Sequence, residues 1–96
     1  MSGAFSFNSD TGCLQIRGEL TIYQANAAVE SLRHAVASGA LTSLDLSGVT
    51  ELDTAGLQWL LLAQRLIGPD SRPVVLVNHS EPVREVLELA GRGLTP

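Results

Sequence analysis

The sequence contains no lysine, and its six basic residues are arginines scattered along 96 residues. Ten acidic residues give a net charge of −4 and an isoelectric point near 4.9. Proteins that bind nucleic acid usually carry a basic patch or stripe, and this sequence has none. The composition therefore argues against nucleic acid as a partner.

Cysteine and long apolar runs are also scarce. Cys13 is the single cysteine, which excludes a disulfide within the chain and a cysteine-based metal site, and we expect a small buried thiol in a strand. No window approaches the roughly 18 uninterrupted apolar residues of a membrane span. The N-terminus lacks the basic start and apolar run of a signal peptide. We therefore expect a cytoplasmic protein without membrane insertion.

Signatures of catalysis and of cofactor binding are missing too. His34 lies in an alanine-rich stretch and His79 lies far along the chain, and neither accompanies an obvious nucleophile. No glycine-rich phosphate loop is present, and no group of ligands has the spacing of a metal site. The sequence predicts no enzyme activity, no cofactor and no metal.

Strand and helix patterns fill the chain, and 96 residues suit a single domain, 1–96. The segments "AFSF" and "CLQIRG" flank the turn sequence "NSDTG", which predicts a β-hairpin. A helix follows from Thr21, which fits a capping box with Gln24, and ends at Gly39. Its predicted inward stripe consists of Ala25, Ala28, Val29, Leu32 and Val36.

A second series of patterns completes the chain. "LTSLDLSGV" alternates as a strand that ends near Val49, and a helix runs from Thr54 to about 68–69. The apolar run "PVVLVN" is typical of a strand buried on both faces of a parallel sheet. Ser80 is the expected cap of a last helix that closes at Gly91. The inward residues expected in that helix are Val83, Val86, Leu87 and Ala90.

The order of elements is therefore β-β-α-β-α-β-α. Strands that alternate with helices after an initial hairpin predict an α/β fold with a mixed, mostly parallel sheet of about four strands and three helices. Right-handed crossovers are expected to join the later strands.

An acid and a hydroxyl stand together where the middle helix begins. Asp53 suits the N-cap, because its carboxylate can accept hydrogen bonds from free amides. Gly56 in the first turn suggests close approach, either of a partner or of the sheet. A phosphoryl group on Thr54 would add about two negative charges, which would expel a partner that buries this surface. Thr54 is therefore a candidate phosphorylation switch.

Helical spacing separates two faces of this helix. The predicted core face consists of Leu57, Leu60, Ala63 and Ile67. The other side combines polar and apolar residues, and its apolar surface exceeds what one buried stripe needs, which predicts docking of another protein. For Trp59, burial under neighbouring helices is the alternative. The residues assigned to this docking site are Asp53, Thr54, Ala55, Gly56, Gln58, Trp59, Leu61, Leu62 and Arg65.

The stretch "LDLSGVTELDTAGLQWLLLA" resembles the core of the STAS domain, which occurs in bacterial anti-sigma factor antagonists and in the cytosolic tails of sulfate transporters. The family pattern is a strand ending in a Leu-Asp-Leu-Ser type sequence, then a loop and an Asp-Ser/Thr-x-Gly element at a helix start. The matching element here is "DTAG", residues 53–56. The resemblance extends from "IRGELT" through "VVLVNHSEPVREVLELAG" in the expected order.

The resemblance implies a regulatory binding module. In phosphorylatable members, the hydroxyl of this element accepts phosphate from a partner that is both kinase and binding target, and Thr54 would be the acceptor. The unphosphorylated form would bind an anti-sigma factor, a serine/threonine kinase or a chemotaxis-type signalling protein, and the phosphorylated form would release it. The best-known switches carry serine at this position. A branch with threonine is the cytosolic subunit of a bacterial phospholipid transporter, an unphosphorylated scaffold that binds an ATPase, and it is the alternative.

Overall fold

The computed structural model describes residues 4–94, with the side chains of residues 4–89. Within this part of the chain, four strands and three helices follow the predicted order. They are β1 (Phe5–Asn8), β2 (Cys13–Leu20), α1 (Ala25–Ala37), β3 (Ser43–Leu52), α2 (Thr54–Gln64), β4 (Val75–Val77) and α3 (Glu81–Leu94). The strands form one sheet in the order β1-β2-β3-β4, in which β1 is antiparallel to β2 and the other neighbours are parallel. The predicted α/β fold with a mixed, mostly parallel sheet is confirmed.

The two faces of the sheet differ in burial. Leu14, Leu44 and Leu76 stand side by side on one face, where they pack in a single core with residues from all three helices. The neighbouring row is Cys13, Ser43 and Val75, and none of these three side chains is buried. Cys13, expected as a buried thiol, is only half-buried in β2.

The prediction for β4 as a strand buried on both faces is wrong. β4 lies at an edge of the sheet, and Val75 is 53% exposed. Only Val74, just before the strand, is fully buried in this run. A continuous apolar run does not distinguish a central strand from an edge strand with one open face, because that distinction depends on strand order.

The predicted hairpin turn between β1 and β2 is confirmed. The Asn8 Oδ1 atom accepts the amides of Asp10 at 2.9 Å and Thr11 at 3.3 Å. Gly12 has a φ of 75°, and a Cβ there would lie 2.3 Å from the Ala40 carbonyl oxygen. Glycine is required at this position for both conformation and space.

The start of α1 differs from the predicted capping box. A 3₁₀ turn over Ile22–Gln24 precedes the helix, and the Thr21 side chain caps neither segment. The Thr21 hydroxyl lies 3.5 Å from Glu19 Oε1. The capping box is therefore wrong, whereas the stop at Gly39 is confirmed by its φ of 74°.

The boundaries of β3 and α2 also shift. β3 continues past Val49 to Leu52, because residues 19–20 of β2 pair with residues 51–52. α2 ends at Gln64 rather than near 68–69, because the chain turns so that the Leu66 carbonyl accepts the Val74 amide at 2.9 Å. Ile67, predicted in the core, consequently lies outside the helix and is exposed.

α3 continues to Leu94 rather than closing at Gly91. Val83 is buried and Val86 is half-buried, as is Leu87; Ala90 lies beyond the described side chains. The Ser80 hydroxyl has no hydrogen-bond partner among the described residues, so the expected side-chain cap does not form. Across residues 4–94, the helices are too short or too polar to cross a bilayer.

Candidate protein-docking site

Asp53 is the single residue between β3 and α2. Its Oδ1 atom accepts the Gly56 amide at 3.0 Å, which confirms the predicted N-cap. Its Oδ2 atom accepts the Ile22 amide at 2.9 Å, across 31 residues of sequence. The hydrogen bonds from the Gly56 and Ile22 amides hold the pKa of Asp53 below its ordinary value, and partial desolvation opposes them. The carboxylate is therefore ionised and joins two segments of the chain.

Gly56 lets α2 approach the end of β2. A Cβ at this position would lie 2.0 Å from the Leu20 carbonyl oxygen, so any other residue would force the backbone to shift. Of the two explanations left open by the sequence, the sheet accounts for this glycine. Gly56 is buried, so the backbone of this turn is not itself an exposed contact.

Thr54 is exposed at the first position of α2. Its hydroxyl forms no hydrogen bond with another described residue. Free amides and the dipole at a helix N-terminus favour negative charge. Glu51 and Asp53 stand close by in sequence, and Glu51 pairs with Glu19 across the sheet. The hydroxyl is thus accessible in a locally acidic setting.

The outer face of α2 carries most of the remaining assigned residues. Gln58, Leu62 and Arg65 are exposed, and Leu62 is 57% exposed. Ala55 and Leu61 are half-buried. On the inner side, Leu60 and Ala63 are fully buried, as predicted, and Leu57 is half-buried. Helical spacing therefore separated Leu60 and Ala63 from Gln58, Leu62 and Arg65 correctly, whereas Leu57, Ala55 and Leu61 are half-buried alike.

Trp59 lies in the core rather than on the exposed flank. It is 7% exposed, and its ring packs edge to face on Phe5, with the ring centroids 6.1 Å apart. The alternative of burial by neighbouring elements is the one observed, because β1 and α1 cover this side of α2. Its Nε1 atom has no hydrogen-bond partner among the described residues. A partner would meet only the part of Trp59 that lines a surface groove.

That groove, of about 310 Å³, lies between α2 and the segment around Ile22 and Val29. Its lining is mainly apolar, and exposed apolar surface of this kind is typical of protein interaction sites. The sequence-based site omitted Ile22 and Tyr23, which are 61% and 88% exposed. Two apolar residues ahead of α1 give no signal in the sequence, because only the fold brings Ile22 to Asp53 at the start of α2.

Val29 and Val36 were predicted to face inward, and both are exposed. The buried residues of α1 are Ala28, Leu32 and Ala35, so the buried stripe is narrower than predicted. Val29 adjoins the groove beside Leu62. We refer to the following residues as the outer surface: Ile22, Tyr23, Val29, Thr54, Gln58, Leu62 and Arg65.

The chemistry available at the outer surface is that of binding and of group acceptance. It presents two exposed hydroxyls, those of Thr54 and Tyr23, with the ionised Asp53 carboxylate next to Thr54, and apolar side chains. Within the described residues, no three His, Cys, Asp or Glu side chains stand close enough to hold a metal ion.

A protein-family model described as "Mlab, STAS domain" matches residues 4–93. The chain belongs to the STAS domain family. The match spans nearly the whole chain and confirms the resemblance drawn from the residue 53–56 element. Comparison with curated proteins finds no match. At the family level, STAS domains have non-catalytic regulatory or binding roles and mediate protein–protein interactions.

Proposed function

We propose that this STAS domain is a regulatory module that binds a protein partner through the outer surface. The observation that supports the proposal is an exposed, unengaged hydroxyl, Thr54, at the edge of apolar side chains that the described chain leaves uncovered. Exposed apolar patches of this kind are typical of protein interaction sites. Leu62, Ile22 and Tyr23 would supply the apolar contacts, and Gln58 and Arg65 the polar rim.

The partner in this proposal is an anti-sigma factor with serine/threonine kinase activity, or a related signalling protein, as the family resemblance implies. Phosphorylation of Thr54 would place about two negative charges near Ile22, whose amide bonds to the adjacent Asp53, and on the same helix as Leu62. A partner that buries apolar surface against them would then have to desolvate those charges. Because Thr54 is exposed, the added group meets solvent, so the fold persists while partner binding weakens.

A second function fits the same surface: the unphosphorylated scaffold of a phospholipid transporter that binds its ATPase. Two observations favour it, threonine at position 54 and the description of the matching family model. In this case Thr54 would act as a contact residue without being modified.

A four-bait comparison tests both functions. Tagged wild type, Thr54→Val, Thr54→Glu and Leu62→Asp would be purified from the native cells with phosphatases inhibited. The expected result is one protein retained by wild type and Thr54→Val and depleted at least tenfold with Thr54→Glu and Leu62→Asp. Thr54→Val is the matched control, because it keeps the side-chain shape and removes the phosphate acceptor.

The intact mass of the chain from the same cells separates the two functions. A fraction heavier by one phosphoryl group, mapped to Thr54, together with a retained kinase, supports the switch. A single unmodified mass in every growth condition, with a retained transporter ATPase, supports the scaffold. Equal retention of every protein by all four baits would remove the outer surface from both proposals.

A further inference from the structure

The Asp53 carboxylate bonds to two different parts of the chain at once. One oxygen accepts the Gly56 amide in the first turn of α2 at 3.0 Å, and the other accepts the Ile22 amide at 2.9 Å. Ile22 begins the 3₁₀ turn that leads into α1. The carboxylate is thus shared between the starts of both helices that border the groove.

The 3₁₀ turn has no side-chain cap of its own. Thr21 occupies the N-cap position with extended backbone, and its side chain accepts no amide there. The Ile22 amide therefore depends on Asp53, a residue that belongs to α2 rather than to its own segment. An amide that loses such an acceptor at the surface turns to water instead.

The 3₁₀ turn contributes the most exposed apolar residues of the outer surface, Ile22 and Tyr23. Ile22 lines the groove together with Gln58 and Leu62 of α2. The hydrogen bond from Ile22 to Asp53 is thus a direct polar link between these two halves of the outer surface.

We propose that Asp53 is a positioning residue that holds Ile22 and Tyr23 beside α2, and that a phosphoryl group on Thr54 weakens this hold. The inference rests on the proposed function, because it concerns regulation of the same surface. The phosphoryl group comes from ATP through a protein kinase. The Thr54 oxygen bonds to the γ-phosphorus, the bond from that phosphorus to ADP breaks, and the hydroxyl proton passes to a base of the kinase.

Two physical effects weaken the hold. A phosphate on the adjacent residue repels the Asp53 carboxylate, and no cation lies within ion-pair distance of Asp53 among the described residues to offset this repulsion. The phosphate oxygens also compete for the free amides at the start of α2, because helix N-termini bind phosphate. The Gly56 amide can then bond to the phosphate, whereas the Ile22 amide lies on a separate segment and is left to water when the carboxylate moves.

Hydrogen exchange at the Ile22 amide, measured by NMR on the full chain, tests the proposal without any partner. Phosphothreonine would be incorporated genetically at position 54, and Thr54→Val would serve as the uncharged control. We expect exchange at Ile22 at least tenfold faster in the phosphorylated protein than in wild type and in Thr54→Val. Exchange at Leu44, a fully buried residue near the start of β3, should remain unchanged and so exclude general unfolding.

Two further variants calibrate the measurement. Asp53→Ala removes the acceptor and should give the fast Ile22 exchange in the absence of phosphate. Asp45→Asn is the matched control, because Asp45 also accepts a local amide, that of Ser47 at 2.9 Å, but does not contact Ile22. Its Ile22 exchange should equal that of wild type.

Ile22 exchange within twofold of wild type in the phosphorylated protein would overturn the inference, and so would unchanged exchange in Asp53→Ala. Either result would leave partner capture by α2 unaffected. Faster Ile22 exchange in the phosphorylated protein supports the inference even if all four bait proteins retain the same set of partners. In that case the proposed function fails and the inference about Asp53 stands.

Discussion

The inner and outer sides of the layer formed by α1 and α2 both contain apolar side chains and differ in what covers them. Leu60 is fully buried, whereas Leu62, two positions further along the same helix, is 57% exposed. On α1, Ala28 is buried and the adjacent Val29 is exposed. Hydrophobicity therefore marks both the core and the candidate docking surface, and only the packing of the layer on the sheet separates them.

The largest effect is expected when the two leucines are truncated in parallel. Leu60→Ala leaves a cavity in the core and should lower the free energy of unfolding by about 2 to 5 kcal/mol. Leu62→Ala, the matched control, should change it by no more than about 0.5 kcal/mol because its side chain is exposed. Urea denaturation followed by circular dichroism measures both values. Equal losses would show that the inner and outer sides contribute alike to stability.

A smaller loss is expected where α2 meets the sheet. Gly56→Ala forces a methyl group against the Leu20 carbonyl, and overpacking of this kind costs about 1 to 3 kcal/mol. Gly39→Ala is the control: open space surrounds this glycine, but its φ of 74° is strained for alanine by about 1 to 2 kcal/mol. Thermal unfolding and the Ile22 amide shift would be compared. Gly56→Ala should shift the Ile22 amide resonance, because the Gly56 and Ile22 amides donate to the same Asp53 carboxylate. Gly39→Ala should leave that resonance unchanged.

The smallest effect concerns the pH dependence of Asp53. Its folded-state pKa lies below the ordinary 3.8, so its ionised form adds stability above that pH, and this contribution is lost as the pH falls through the folded pKa. Asp53→Asn is neutral at every pH and retains one acceptor for two amides. The difference in free energy of unfolding between wild type and Asp53→Asn should therefore shrink as the pH is lowered from neutrality to below 3.8. A difference that stays constant across this range would contradict the role of ionised Asp53.

The order of the elements, the burial of Leu60 and the exposure of Leu62 in α2 could be predicted because they depend on local periodicity. Alternation in β2 and β3, the turn at Asn8 and the cap at Asp53 are properties of a few neighbouring residues. The same local rules failed at Thr21, where a plausible capping box does not form. Asp53, distant in sequence, supplies the acceptor instead.

Burial was harder to predict than secondary structure. Trp59 could belong to either face by spacing alone, and its place in the core depends on Phe5 from the other end of the chain. The apolar run of β4 predicted a central strand, but strand order placed it at an edge. No local pattern marked Ile22 and Tyr23, so the docking site predicted from the sequence omitted them.

The β-β-α-β-α-β-α order and the position of Thr54 at a helix start follow from the amino-acid sequence, because periodicity, caps and turns act over a few residues. The family followed from the resemblance of the stretch that contains residues 53–56. Which apolar side chains remain exposed, and which two segments share Asp53, depended on the tertiary structure. Those features arise when β2 and β3 pair in parallel and bring the starts of α1 and α2 to one end of the sheet. Long-range pairing of this kind determines the surface that a partner would meet.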